Sequence, residues 1–222
     1  MDDLSVLYED RYLLALNKPA GLSSESGSAS HPSAETWALE YLRRTTERQQ
    51  PYLRVAHRLD RVSSGVLLLA KSKNTLQALM AQFEARTVTK IYVAEVEGIP
   101  PNEFGALTHY LGRSWDRRRA VLSDKPFEGA QYASCTYRLL AYRKGRALLE
   151  LQPQTGRFHQ LRAQIAAIGC PIVGDEIYGG PPWQPHAIRL HARSLQLRHP
   201  NSGEELILEA PLPETWGWIN MR

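Results

Sequence analysis

Along the chain, apolar residues recur with two different periods, and the period separates strands from helices. Residues 4–8 and 12–16 are short and apolar and read as two strands. The second runs into Asn17-Lys18-Pro19-Ala20-Gly21, a turn whose proline presets φ. Residues 23–34 are rich in Ser, Gly and Ala and read as a flexible surface loop. Ser33 is positioned to cap a helix over about residues 35–48, with Trp37, Tyr41 and Leu42 on one face. Gly65-Val66-Leu67-Leu68-Leu69-Ala70 is an uninterrupted apolar run, which predicts a buried strand. Ser72 then opens a helix with Leu76, Leu79, Met80 and Phe83 at helical spacing. Residues 90–96 alternate as a strand with Tyr92, Ala94 and Val96 on one face. Strands over about 131–141 and 147–151 follow, then a helix over about 158–168 ended by Gly169 and Pro171. Residues 195–197 and 206–208 flank Pro200-Asn201-Ser202-Gly203 in a hairpin pattern. Many strands and few helices, without regular alternation, predict an α+β fold with a mixed, mostly antiparallel sheet.

Composition narrows the class. The 222 residues are 43% hydrophobic and 23% charged, which suits one domain over residues 1–222, compact or with two lobes. The formal net charge of +4 favours a polyanionic partner without establishing one. The two cysteines, Cys135 and Cys170, form no CxxC pair and read as reduced thiols. The scattered histidines have no metal-ligand spacing. The acidic start Met1-Asp2-Asp3-Leu4 is unlike a signal peptide, and no run approaches the ~20 apolar residues of a membrane span. The expectation is a cytoplasmic protein without metal or membrane anchor, and a monomer by default.

Polar residues crowd three places where core patterning should continue. His57-Arg58-Leu59-Asp60-Arg61-Val62-Ser63-Ser64-Gly65 places Asp60 just before an apolar strand, where a rigid element would anchor a catalytic carboxylate. A solvated turn in which Asp60 caps nearby backbone fits the spacing as well. Gln154-Thr155-Gly156-Arg157-Phe158-His159-Gln160-Leu161-Arg162 combines a glycine suited to a tight turn with an arginine in a helix's first turns. There a cation opposes the macrodipole, so a buried carboxylate would have to favour it; an exposed arginine is the other reading. In Lys90-Ile91-Tyr92 the tyrosine is either core or a flat face for a nucleobase. Arg113-Ser114-Trp115-Asp116-Arg117-Arg118-Arg119 is a basic loop, either a phosphate contact or simply solvated.

Taken together, the segments resemble the RluA-type pseudouridine synthases. The resemblance runs through Asn17-Lys18-Pro19-Ala20-Gly21, His57-Arg58-Leu59-Asp60 with Ser64-Gly65, and Lys90-Ile91-Tyr92-Val93-Ala94. It continues through Thr155 to Arg162, Val173-Gly174-Asp175-Glu176-Ile177-Tyr178-Gly179 and Leu190-His191-Ala192. Each string alone is weak; their order and distances together are specific.

The resemblance implies a pseudouridine synthase fold and isomerisation of uridine in ribosomal or transfer RNA, with no cofactor and no metal. It implies that Asp60 is the catalytic aspartate, Tyr92 packs against the target base, and Arg162 pairs with the aspartate. It also implies that Arg58 enters the RNA stack where the target base left. Lys18, Arg61, Arg157, His159, Arg117 and Arg118 are expected to contact RNA as well. Ser63 stands where the family often has Thr, and Phe158 where a smaller or polar residue is usual. Many relatives carry an S4-type RNA-binding domain. Here the first strand starts almost at Met1, so the catalytic domain's own loops are expected to hold the RNA. Two rival readings are a noncatalytic RNA-binding protein and a glycosidic-bond hydrolase. The first gives no reason to keep Asp60, Tyr92 and Arg162 together. The second usually needs two carboxylates at the bond, and Asp175 is expected to order a loop instead.

Overall fold

A computed structural model describes residues 4–26, 32–46, 50–116 and 118–218. In chain order the described elements are β1 (Ser5–Glu9), β2 (Leu13–Lys18), α1 (Ala34–Thr45), β3 (Arg54–Val55), β4 (Ser64–Ala70), α2 (Lys73–Glu84), β5 (Thr89–Glu97), β6 (Phe104–Arg113), β7 (Ala120–Ser123), β8 (Gln131–Arg143), β9 (Arg146–Pro153), α3 (Gln160–Ala167), β10 (Leu190–Arg198) and β11 (Glu205–Glu209). The α+β class and the antiparallel pairing follow the sequence pattern. None of the described helices is long and apolar enough to cross a membrane. The chain divides into two compact units, residues 1–89 with 192–222, and residues 90–191.

In the first unit the strand order is β1-β2-β4-β10, with β3 also on β4 and β11 on β10. β2 pairs with β4 from Leu13↔Ala70 to Lys18↔Gly65. Leu13, Ala15, Val66, Leu68 and Ala70 form one cluster with Leu79 of α2, Leu195 and Leu197 of β10, and Leu208 of β11. The alternate residues Leu14, Leu16, Leu67 and Leu69 are fully buried as well. Strands buried on both faces lose polar alternation, which is why β4 reads as an unbroken apolar run. Each such leucine contributes ~1.5–3 kcal/mol of burial. α1 begins with a reciprocal cap: Thr36 N–H donates to Ser33 Oγ at 3.1 Å, and Ser33 N–H donates to Thr36 Oγ1 at 2.9 Å. It ends sooner than the expected 48, because Thr46 turns to extended backbone.

Gly65 joins the Asp60 loop to β4. Its φ is +112°, and a Cβ there would lie 2.2 Å from Ala192 O on β10. Both the backbone conformation and the close approach require glycine.

In the second unit the order is β5-β9-β8-β6-β7. β6 and β7 form a hairpin where the sequence suggested only a basic loop. α3 packs on this hairpin through Ala163, against Leu111, Ala120 and Ala133, with Leu122, Phe158 and Tyr178 at the margin. The one-faced alternation expected of β5 fails at its C-terminal half, where Val93, Ala94, Glu95 and Val96 are all buried. Glu95 is tolerated there because it pairs with Arg189 and, at 3.5 Å, with Arg146.

Candidate active site

The Asp60 loop is held from beneath. Lys18, at the end of β2, is 0% exposed. Its Nζ donates to four carbonyls: Pro19 at 2.9 Å, Leu22 at 2.8 Å, Arg61 at 3.4 Å and Ser63 at 2.6 Å. One ammonium thus ties the 19–22 turn to both residues that bracket Val62. Burial pushes its pKa down to about 7, against the attraction of the Asp60 carboxylate, which pulls it up. Lys18 therefore does not contact RNA as expected: its charge points inward, where the backbone carbonyls solvate it.

Further bonds fix the same loop. Ser63 N–H donates to Asp60 O at 3.0 Å, closing a turn, and Gly21 N–H donates to Arg61 O at 2.8 Å. Ser24 Oγ donates to Leu59 O at 2.9 Å and accepts from Leu59 N–H at 3.0 Å. Ser24 is buried, so the expected surface loop is packed at this end; residues 27–31 lie outside the described residues. His57 Nε2 accepts from Leu68 N–H at 3.2 Å, fastening the loop's start to β4. Asp60 itself is half-buried. Arg58 is exposed and meets Glu25 at 3.0 Å, and exposed Arg61 donates through Nε to Gly21 O at 2.9 Å.

The second unit builds around Arg162. Its Nε and Nη2 donate to Asp175 Oδ2 and Oδ1 at 2.6 and 2.7 Å. Asp175 is the buried carboxylate that an arginine in the first turn of α3 demands. Arg162 Nη1 lies 2.7 Å from His159 Nε2. Guanidinium only donates, so Nε2 accepts and the ring is the neutral Nδ1–H tautomer. Nδ1–H then donates to Tyr178 Oη at 3.1 Å, which also accepts from Ala120 N–H at 2.7 Å. Phe158 stacks on the His159 ring with centroids 3.8 Å apart, and the Arg113 guanidinium lies 4.3 Å from the Phe158 ring. The unusual phenylalanine is thus the middle layer of an Arg113–Phe158–His159 stack.

His159 is therefore not available to phosphate through its ring nitrogens, contrary to expectation. It takes the left-handed conformation at the N-cap of α3, with φ 51°. Gly156 does not: its φ lies outside the left-handed region. The turn is held instead by Thr155 Oγ1, which donates to Gln160 Oε1 at 2.7 Å, while Gln160 Nε2 donates to Ser134 O at 3.0 Å. Arg157 Nε donates to Tyr132 O at 3.0 Å. Tyr92 is half-buried on β5. Arg118 is exposed, and Arg117 lies outside the described residues. Among the described residues no group of His, Cys, Asp and Glu is arranged to hold a metal ion. Sequence reasoning missed Tyr178 and the pairing role of Asp175; their only signal was membership of one motif string, residues 173–179.

A fold of this kind, with a clamped aspartate loop and a buried arginine network, is that of an RNA-modifying isomerase, and comparison agrees. The family model for RNA pseudouridylate synthase matches residues 12–167. The ribosomal large subunit pseudouridine synthase C of Rickettsia prowazekii is 36% identical over 211 residues, covering 94% of this chain and 68% of that protein. The dual-specificity RNA pseudouridine synthase RluA of Vibrio cholerae is 34% identical over 203 residues, covering 90% and 79%. The solved structure of human RNA pseudouridylate synthase domain containing 4 superposes with a TM-score of 0.80 at 27% identity, covering 96% and 90%. The chain belongs to the RNA pseudouridylate synthase family, whose members isomerise uridine in RNA.

Proposed function

We propose that this enzyme modifies uridine in ribosomal RNA, with Asp60 as the catalytic carboxylate and Tyr92 and Arg162 serving the same uridine. The observation that carries the reading is the clamp on the Asp60 loop. Asp60 is the sole acidic residue between His57 and Gly65, on backbone fixed by Lys18 and Ser24. A preorganised carboxylate is what the reaction needs. The C1′–N1 bond breaks, the uracil rotates, and a C5–C1′ bond forms; C5 loses a proton and N1 gains one, so no co-reactant is consumed. Asp60 acts at the sugar, by attacking C1′ or by removing the 2′ proton, and either route uses the ionised form.

Tyr92 stacks on the detached uracil while it turns, and Arg162 supports the carboxylate's charge. The exposed Arg58 enters the gap left by the flipped base, whose extrusion costs a few kcal/mol. Arg61 and Arg118 contact phosphates. Ribosomal RNA is favoured over transfer RNA because the Rickettsia relative is named for the large ribosomal subunit; the Vibrio relative's dual specificity keeps transfer RNA as the second substrate to test. The enzyme acts as a monomer in the cytoplasm.

The test is to incubate the purified chain with unmodified ribosomal and transfer RNA transcripts and map pseudouridine by a chemical reverse-transcription stop. Wild type should create one or a few stops in ribosomal RNA, and Asp60→Asn none. Full activity in Asp60→Asn would remove Asp60 from the chemistry.

A further inference from the structure

The β6–β7 hairpin holds a tryptophan outside the fold. Trp115, at its tip, is 96% exposed, although an aromatic of this size is among the most favourable side chains to bury. The tip is well bonded. Ser114 N–H donates to Arg119 O at 2.9 Å, and Ser114 Oγ accepts from Arg119 N–H at 3.2 Å. Asp116 accepts from the Ser114 hydroxyl and, at 3.1 Å, from Arg118 N–H. The one carboxylate of the tip is therefore occupied by the turn itself. The legs are anchored too, Arg113 on Phe158 and Ala120 N–H on Tyr178 Oη. Arg118 and Arg119 are exposed beside the tryptophan.

This arrangement selects its ligand by exclusion. A membrane surface or an apolar protein groove would need several apolar neighbours, and Trp115 has Ser114, Asp116 and Arg118 around it. An acidic peptide would use the cations and leave the ring plane unused. Unpaired RNA offers both parts, a flat base and regularly spaced phosphates, whereas a duplex hides its base faces.

We propose that Trp115 is a stacking platform for an unpaired nucleotide of the RNA substrate, with Arg118 and Arg119 on the flanking phosphates. The proposal rests on the reading of the chain as an enzyme of RNA. It places part of substrate recognition on a hairpin whose two legs both end on partners of His159, the side chain that receives Arg162 Nη1.

The test measures binding by fluorescence anisotropy, at several salt concentrations, of two probes: an oligouridylate of about twelve nucleotides and a blunt RNA duplex with the same number of phosphates. Trp115→Ala should weaken the oligouridylate about tenfold to a hundredfold and change the duplex by less than about twofold. Trp115→Phe should keep most of the affinity. Arg118→Gln/Arg119→Gln should weaken both probes and flatten the salt dependence by up to about two phosphate contacts. Wild-type affinity of Trp115→Ala for the oligouridylate, or equal loss on both probes, would overturn the platform. Pseudouridine formation by wild type is followed in parallel. Selective binding loss in Trp115→Ala with no pseudouridine from wild type keeps the platform and sinks the enzymatic reading. Pseudouridine from wild type with unaltered binding by Trp115→Ala does the reverse.

Discussion

Arg162 and Asp175 meet through two parallel bonds of 2.6 and 2.7 Å, with the residues 3% and 1% exposed. The bidentate geometry fixes the guanidinium plane. Removing the carboxylate leaves a buried cation without its main partner, which typically costs about 3–5 kcal/mol. Asp175→Ala should lower the unfolding free energy by that order in urea denaturation. Replacing both partners, Arg162→Met with Asp175→Leu, should cost less than the single change, because no charge stays buried. A single variant as stable as wild type would show that other groups carry Arg162.

His159 transmits the position of the β6–β7 hairpin to Arg162. Its Nε2 accepts from Arg162 and its Nδ1–H reaches Tyr178 Oη, so a side chain with a ring but no nitrogens keeps the stack and loses both bonds. His159→Phe is expected to lower kcat about tenfold, the size of one lost hydrogen bond to a charged group, with KM and stability little changed. Phe158→Ala removes the layer between Arg113 and His159 and should lower kcat by a smaller factor. Single-turnover kinetics on a ribosomal RNA transcript separates the two. A loss confined to KM in His159→Phe would mean that His159 serves binding alone.

Much of the first unit was legible in the sequence because its signals are local. Ser33 and Ser72 both cap the helices they announce, and β2 and β4 lie within two residues of their predicted limits. The reactive loop was legible as a motif. What held it was not, because a lysine in a turn looks solvent-exposed until the fold brings four carbonyls to it. The hairpin of β6 and β7 was missed since its residues are partly exposed and carry no clean alternation; β6 has buried Leu107 and Leu111 four apart, a spacing that also suits a helix. Asp175 was read as a loop residue because its partner, Arg162, lies thirteen positions away on a helix that only tertiary packing brings near. Glycine at 156 looked like the turn-maker, but the left-handed residue is His159, where a side-chain network offsets the strain.

Asp10 and His199 link the β1–β2 turn to the β10–β11 turn. His199 Nδ1 accepts from Asn201 and Ser202 N–H at 3.3 and 3.1 Å, so Nε2–H donates to Asp10 Oδ2 at 2.8 Å. Burial pushes the Asp10 carboxyl up, but bonds from Leu13 and Tyr12 N–H, His199 and Tyr8 outweigh it and hold the pKa below the ordinary 3.8. A carboxylate lowered in the folded state stabilises it above the unfolded pKa, and that contribution is lost as pH falls through the folded value. Wild type should therefore lose stability on acidification below about pH 4, and Asp10→Asn, less stable at neutral pH, should show a shallower acid limb. Urea midpoints taken at falling pH would show it; parallel limbs in the two proteins would rule out Asp10 as a contributor.

Lys18 makes a prediction of the opposite sign. Its amine titrates at about 7 when folded and near the ordinary 10.5 when unfolded. Between those values the unfolded chain binds a proton that the folded chain does not, so this group's contribution to stability rises with pH across that window. The slope has an upper limit of about 1.36 kcal/mol per pH unit, and it must vanish in Lys18→Met. The variant has its own cost at every pH, since several buried carbonyls lose their donor, at roughly 1–3 kcal/mol for each one left unsatisfied. The neutral amine has only two N–H bonds for four carbonyls, so the Asp60 loop should loosen in the same window in which the amine's burial penalty is relieved. Stability from urea unfolding and kcat on a ribosomal RNA transcript, both followed from pH 6 to about pH 9 in wild type and Lys18→Met, should therefore diverge: wild-type stability gains relative to the variant while wild-type kcat falls above about pH 7. Equal pH dependence of stability in the two proteins would mean that Lys18 keeps its proton throughout, with the four carbonyls and Asp60 compensating its burial.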